Sequence, residues 1–174
     1  MGQPKRFRKK YARPKKPFDK ARIETEKKTK ENFGLRRKKE IWRAEGIVRD
    51  FRRRARALQA KGNEKDEKAL IDKINKLGIL AKRLDDVLQI GLDDILSRRL
   101  QTIIFKKGLA NSIKQARQFI THEHIAIGDK TITSPSYLVK VEEEVIVNFN
   151  PNSSLMDTEH PARKIAVAVG EVAK

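Results

Sequence analysis

Apolar residues recur at Ile41, Ala44, Val48, Phe51, Ala55 and Leu58, spacings of 3, 4, 3, 4 and 3 that form one buried stripe along an α-helix. The spacing predicts a helix from near Leu35 to about Ala60, between Gly34 and Gly62. Before it, Asp19 to Phe33 reads as a polar helix stopped by Gly34. After it, residues 63–77 place Leu70, Ile71, Ile74 and Leu77 on one side and mixed charges on the other, ending at Gly78. Residues 83–88 read as a short helical turn, and Gly91 marks a boundary between two domains.

From residue 92 the pattern changes. Ile95, Leu96, Leu100, Ile103 and Ile104 line one face of a single predicted helix, with Asp93 and Asp94 in its first turn and Lys106-Lys107-Gly108 at its end. Ser112 and Gln115 have the spacing of a capping box, opening a second short helix that buries Ile113, Ala116 and Ile120. Ile125-Ala126-Ile127 then alternates into a turn at Gly128-Asp129, followed by a strand at Thr131-Ile132-Thr133 and, past Pro135, another at Val145-Ile146-Val147. The expected fold class is α+β and mainly helical. A basic helical amino-terminal domain with an extended arm precedes a small module of two helices and an antiparallel sheet. The parts are an arm over 1–18, a helical domain over 19–92, the module over 93–149 and a mobile extension over 150–174, with a short helix around Ile165 to Val172.

Charge says what such a fold is for. Lys and Arg number 41 against 23 Asp and Glu, and residues 1–60 alone hold 23 basic and 7 acidic residues, a net of +16 out of +18. Such an excess in one third of the chain points to a polyanionic partner. The arm has prolines at 4, 14 and 17 and cannot bury enough apolar surface to offset its ordering entropy, so it orders on that partner. Phe7, Tyr11 and Phe18 interleave with its charges as rings that stack on bases do. At about 100° per residue, Arg49, Arg52, Arg53 and Arg56 form a second stripe beside the apolar one on the long helix. Stacked guanidinium groups repel unless something anionic lies across them, and their planar forks suit phosphate oxygens.

Other chemistry is poorly supported. There is no cysteine, hence no disulfide or thiolate zinc site. His122 and His124 lack a third ligand, because His160 falls in the extension. The pairs Asp85-Asp86 and Asp93-Asp94 and the run Glu142-Glu143-Glu144 sit where helix caps and solvated turns expect acids. No phosphate-binding glycine loop or nucleophile motif stands out, so neither enzyme nor cofactor is expected. The amino terminus is basic and no window nears the ~20 apolar residues of a membrane span, so a cytoplasmic protein without a membrane partner is expected.

One resemblance is specific. Arg98-Arg99-Leu100-Gln101, Lys107-Gly108-Leu109-Ala110, Gln115-Ala116-Arg117-Gln118, His122-Glu123-His124-Ile125 and Ser134-Pro135-Ser136-Tyr137 together resemble the family of small-subunit ribosomal protein four in its archaeal and eukaryotic form. Pro4-Lys5-Arg6, Lys9-Lys10-Tyr11 and Phe51-Arg52-Arg53-Arg54-Ala55-Arg56 extend the likeness to residues 1–149. The resemblance implies a direct binder of small-subunit ribosomal RNA that nucleates assembly of the subunit. It also implies contact with ribosomal protein five and neighbouring ribosomal proteins, a position near messenger RNA where it enters, and a part in translational accuracy.

Carried onto this sequence, the RNA contacts would be Lys5, Arg6, Lys9, Lys10 and Tyr11 in the arm and the arginine stripe. In the module they would be Arg99, Lys106, Ser112, Lys114, Gln115, Arg117, His122, His124 and Lys130. Ser112 and Gln115 mark a helix N-terminus, which favours phosphate, and Lys114 and Arg117 lie one turn apart on the expected outer side, so RNA would be held by shape and backbone. The turn Gly128-Asp129 departs from the Asn-Gly that the family often has, leaving Asp129 to adopt the left-handed conformation. The cysteine zinc site of some bacterial relatives has no counterpart. Arg83-Leu84-Asp85 also resembles the opening of this module in RNA-modifying enzymes, but the better-signalled start is at Asp93, and residues 1–92 are too basic and too helical for a catalytic domain. A nonspecific basic RNA chaperone is the alternative, and it predicts no preference for ribosomal RNA.

Overall fold

The amino-terminal helices begin and end where their local chemistry directs. The structure is a computed structural model that describes residues 11–157 with 160 and 161; Lys5, Arg6, Lys9, Lys10 and the helix expected around 165–172 lie outside the described residues. Helix α1 (Lys20–Asn32) ends ahead of Gly34, whose φ of 56° reverses the chain. Helix α2 (Lys38–Lys61) follows, with the left-handed Gly62 as its C-cap, and α3 (Glu64–Lys76) and α4 (Leu84–Gln89) complete the amino-terminal helices. Four acids three residues after a helix start accept main-chain N–H groups that the helix cannot satisfy itself: Glu40 from Arg37, Asp86 from Arg83, Asp94 from Gly91 and Glu143 from Lys140. One acid of each pair, Asp86 and Asp94, is therefore a cap, while Asp85 accepts from Gln59 at 2.8 Å.

The stripe on α2 is buried as its spacing predicts. Ile41, Ala44, Val48, Phe51 and Ala55 pack with Leu70 and Ile74 of α3, Leu84 and Val87 of α4, and Ile95 and Leu96. Burial of each larger side chain contributes about 1.5–3 kcal/mol. By contrast α1 has almost no apolar side. It is tied down through the buried Glu26, which accepts a hydrogen bond from Trp42 Nε1 at 3.0 Å and pairs with Lys38 at 3.1 Å and Arg22 at 3.3 Å.

The single helix expected from Asp93 to Lys107 is two: α5 (Leu92–Ser97) and α6 (Leu100–Lys106). Between them Arg99 is extended and bridges to Leu138, Leu100 N–H donates to the Tyr137 carbonyl at 2.8 Å, and Val139 N–H donates to Arg98 at 3.0 Å. The backbone groups freed by the break are paired across it by residues some forty positions on, which no local pattern announces. Ile95 and Leu96 join the first hydrophobic cluster, whereas Leu100, Ile103 and Ile104 join a second with Ala116, Phe119 and Ile120 of α7 (Ile113–Thr121).

The sheet has the order β2-β1-β3, all antiparallel, with β1 (Ile125–Ile127) central between β2 (Lys130–Thr131) and β3 (Val147–Phe149). Ala126 pairs with Thr131 on one side and Asn148 on the other. Two strands are displaced from expectation. The second starts one residue early and ends at Thr131, and the third starts only at Val147, because residues 141–146 form helix α8 (Val141–Ile146), with Glu142, Glu143 and Glu144 in its first turn. The positive φ of the hairpin falls on Gly128, at 57°, and not on Asp129.

Candidate nucleic-acid interface

The amino-terminal helices and the α6–α7 unit meet through one carboxylate. Glu40, in the first turn of α2, accepts from Arg99 Nη2 at 2.6 Å and from Arg117 Nη1 at 3.2 Å, as well as from the N–H groups of Arg36 and Arg37 at 3.3 and 3.4 Å. Burial raises the Glu40 pKa, but the hydrogen bond from Arg117 and the charges of Arg99 and Arg117 outweigh it and hold the carboxyl below its ordinary value. A second strut lies beside it. The amide of the fully buried Gln101 donates to the Gly34 carbonyl at 3.1 Å and the Ile113 carbonyl at 2.9 Å.

A cleft of about 520 Å³ opens over this junction, lined by Tyr11, Arg37, Lys39, Arg43, Arg117 and Ser136 among others. Tyr11 packs on Trp42 with ring centroids 6.0 Å apart, and Lys39 Nζ lies 5.8 Å from its ring centre. Arg43 and Arg49 carry the cationic lining along α2 into a neighbouring cleft. Lys27, Lys30, Arg36 and Lys114 continue it beyond Arg117 across the α1–α2 corner. These cations, drawn from three helices, form a contiguous basic surface.

The predicted site residues separate into three groups. Arg49, Arg53, Arg56, Lys106, Lys114, His122 and Lys130 are exposed, with Arg53 in an open pair with Asp50 at 3.0 Å. Arg52, Ser112, Gln115, Arg117 and His124 already have internal partners. Arg52 Nη2 donates to the Ile90 carbonyl at 2.6 Å, so it braces α2 against α4 and is no free member of the stripe. Ser112 Oγ accepts from Gln115 N–H, and the Gln115 side chain accepts from Asn111 N–H, one residue before the expected reciprocal partner. Arg117 turns inward to Glu40 yet keeps its side chain 26% exposed. His124 Nδ1 is 2.7 Å from Ser153 Oγ, and burial together with the charges of His122 and His160 lowers its pKa. Arg99 is the most buried of the predicted site residues that the structure describes. Its side chain is 5% exposed and paired with Glu40, at the floor of the cleft that it helps to line.

Residues 98–145 match the S4 domain. The whole chain is similar to small ribosomal subunit protein uS4 of Methanococcus aeolicus, 47% identical over 98% of this chain and 100% of that one. It is similar also to uS4 of Picrophilus torridus, at 44% over 94% and 93%, and of Hyperthermus butylicus, at 49% over 88% and 90%. The chain belongs to the uS4 family in its archaeal form. Within it the S4 match begins at Arg98, where the two hydrophobic clusters part.

Sequence reasoning missed Glu40, the acid on which the uS4 junction turns, because an acid in a first helical turn reads as a cap and nothing more. It also missed Arg37, just before α2, and Lys39 and Arg43, whose positions on α2 avoid the apolar stripe and only become a cleft wall once α7 stands opposite.

Proposed function

We propose that this chain is a structural constituent of the small ribosomal subunit that binds its ribosomal RNA directly. The observation that carries the reading is the basic cleft at the α2–α7 junction, where Arg37, Lys39, Arg43 and Arg117 converge beside the aromatic Tyr11. Guanidinium and ammonium groups spread over three helices fit a folded RNA backbone better than a small anion. Lys114 at the start of α7 and the exposed Arg49, Arg53 and Arg56 extend the same footprint, and Lys5, Arg6, Lys9 and Lys10 of the arm belong to it. Lys106, His122 and Lys130 are further contacts on the S4 domain. Holding several RNA helices in one arrangement suits a protein that binds early and nucleates assembly. Contact with ribosomal protein five, and through it a part in translational accuracy near the incoming messenger RNA, complete the reading. The roles are those of a scaffold and not of an enzyme.

Footprinting on naked small-subunit ribosomal RNA, with transfer RNA and duplex DNA as competitors, tests it. The expected result is a discrete protected junction whose affinity falls steeply and log-linearly with salt as counterions are released. Diffuse protection lost to competitor would instead mark a nonspecific basic chaperone.

A further inference from the structure

We infer that Glu40 is a positioning residue for RNA binding: its carboxylate locks the S4 domain against α2, so the cationic cleft is assembled before RNA arrives. The inference rests on the ribosomal RNA reading and adds to it the device that sets the geometry.

An acid amid Arg36, Arg37, Lys39, Arg43, Arg99 and Arg117 works against polyanion binding by simple charge counting. Its position shows a different use. One carboxylate receives two main-chain N–H groups that open α2 and two guanidinium groups, Arg99 from the α5–α6 break and Arg117 from α7. Without it, Arg99 would be a buried cation lacking its partner, and Arg37, Arg99 and Arg117 would repel across the cleft. The Gln101 strut joins the same two bodies, from α6 to the α1–α2 corner at Gly34 and to the start of α7 at Ile113. The two struts together hold the α1–α2 corner to α6 and α7, so the S4 domain cannot swing without losing at least one. A surface already in its bound arrangement spends less of its contact energy on ordering.

The test compares the full-length chain with E40Q and with Gln101→Leu, which breaks the second strut and leaves every charge unchanged. The chain contains no cysteine, so the exposed Lys68 on α3 and Asp129 in the hairpin can each be changed to cysteine for a unique spin-label pair. Both variants are expected to broaden the inter-label distance distribution of the RNA-free protein. Both should also lose about tenfold in affinity for small-subunit ribosomal RNA, with affinity for a nonspecific duplex unchanged or, for E40Q, raised. An unchanged distribution, or E40Q binding ribosomal RNA as well as or better than the parent, overturns the inference. Should E40Q not fold, Arg117→Gln, which takes one of the two guanidinium groups from the Glu40 carboxylate, decides it by the inter-label distances of the RNA-free protein: a broadened distribution supports the lock and an unchanged one overturns it. If the parent itself shows no preference for ribosomal RNA over duplex, the RNA reading fails while the distances still decide whether the lock exists.

Discussion

At Gly34 a methyl group has no room. A Cβ there would stand 2.6 Å from Ile113 Cγ2 and 3.1 Å from Gln101 Nε2, and the backbone φ of 56° already disfavours any L side chain. Ile113 is β-branched and stiff about χ1, so it cannot step aside cheaply. Gly34→Ala is therefore expected to destabilise the protein by about 1–3 kcal/mol, measured as a lower denaturant midpoint with unchanged slope. The sequence marked Gly34 as a helix stop. That it is also where the S4 domain touches the α1–α2 corner depends on Ile113, 79 positions away.

Among the helices, α2 divides its labour along its length. Arg52 and Arg53 are neighbours in the same predicted stripe, yet one braces α4 through the Ile90 carbonyl and the other projects into solvent, 75% exposed. Arg52→Ala should lower stability by about 1–3 kcal/mol through the unsatisfied carbonyl and the lost brace. Changing Arg49, Arg53 and Arg56 together to Glu should leave the melting temperature nearly unchanged but weaken RNA binding and flatten its salt dependence. Thermal melts beside a salt titration separate the two; equal effects would show the stripe to be uniform after all. Periodicity located this helix and its buried side because those signals are local. It could not rank the arginines, because rank depends on which carbonyl or carboxylate another element brings near. The same limit explains α5, α6 and α8. Apolar residues at helical spacing span Arg98 and Arg99 without a break, and Val145-Ile146 has β-forming side chains, but pairing with Leu138 and the N-terminal acids of α8 decide otherwise.

Over the whole molecule, the titrating groups predict stability against acid. His124 is held below its ordinary value of 6.5, so the unfolded chain takes up its proton first, and this contribution is present above pH 6.5 and lost as the pH falls toward the folded value. Glu40 and Glu26, lowered from 4.5, act later, stabilising above that pH and losing the effect as the pH falls through their folded values. Glu45, raised chiefly by burial, acts the other way and above pH 4.5, its penalty easing as the pH falls from its folded value toward 4.5. Stability followed by denaturant titration from pH 8 to 3 should be flat above 7, decline modestly below 6.5 and fall further below 4.5. Replacing His124 with Gln should remove the first step.

The sequence by itself determined the mainly helical class, the buried stripe of α2, the caps at Asp86, Asp94 and Ser112, the concentration of positive charge in the first third, and, through its full-length likeness to archaeal uS4, the family. Each of these is written in neighbours within a turn or two, or in composition. Only the tertiary structure decided which cations have partners inside the protein. The partners of Arg52, Arg99 and Arg117 lie 38, 59 and 77 residues away, and a buried charge takes its role from whatever packing sets beside it, since in a dry site a cation without a partner is too costly to keep.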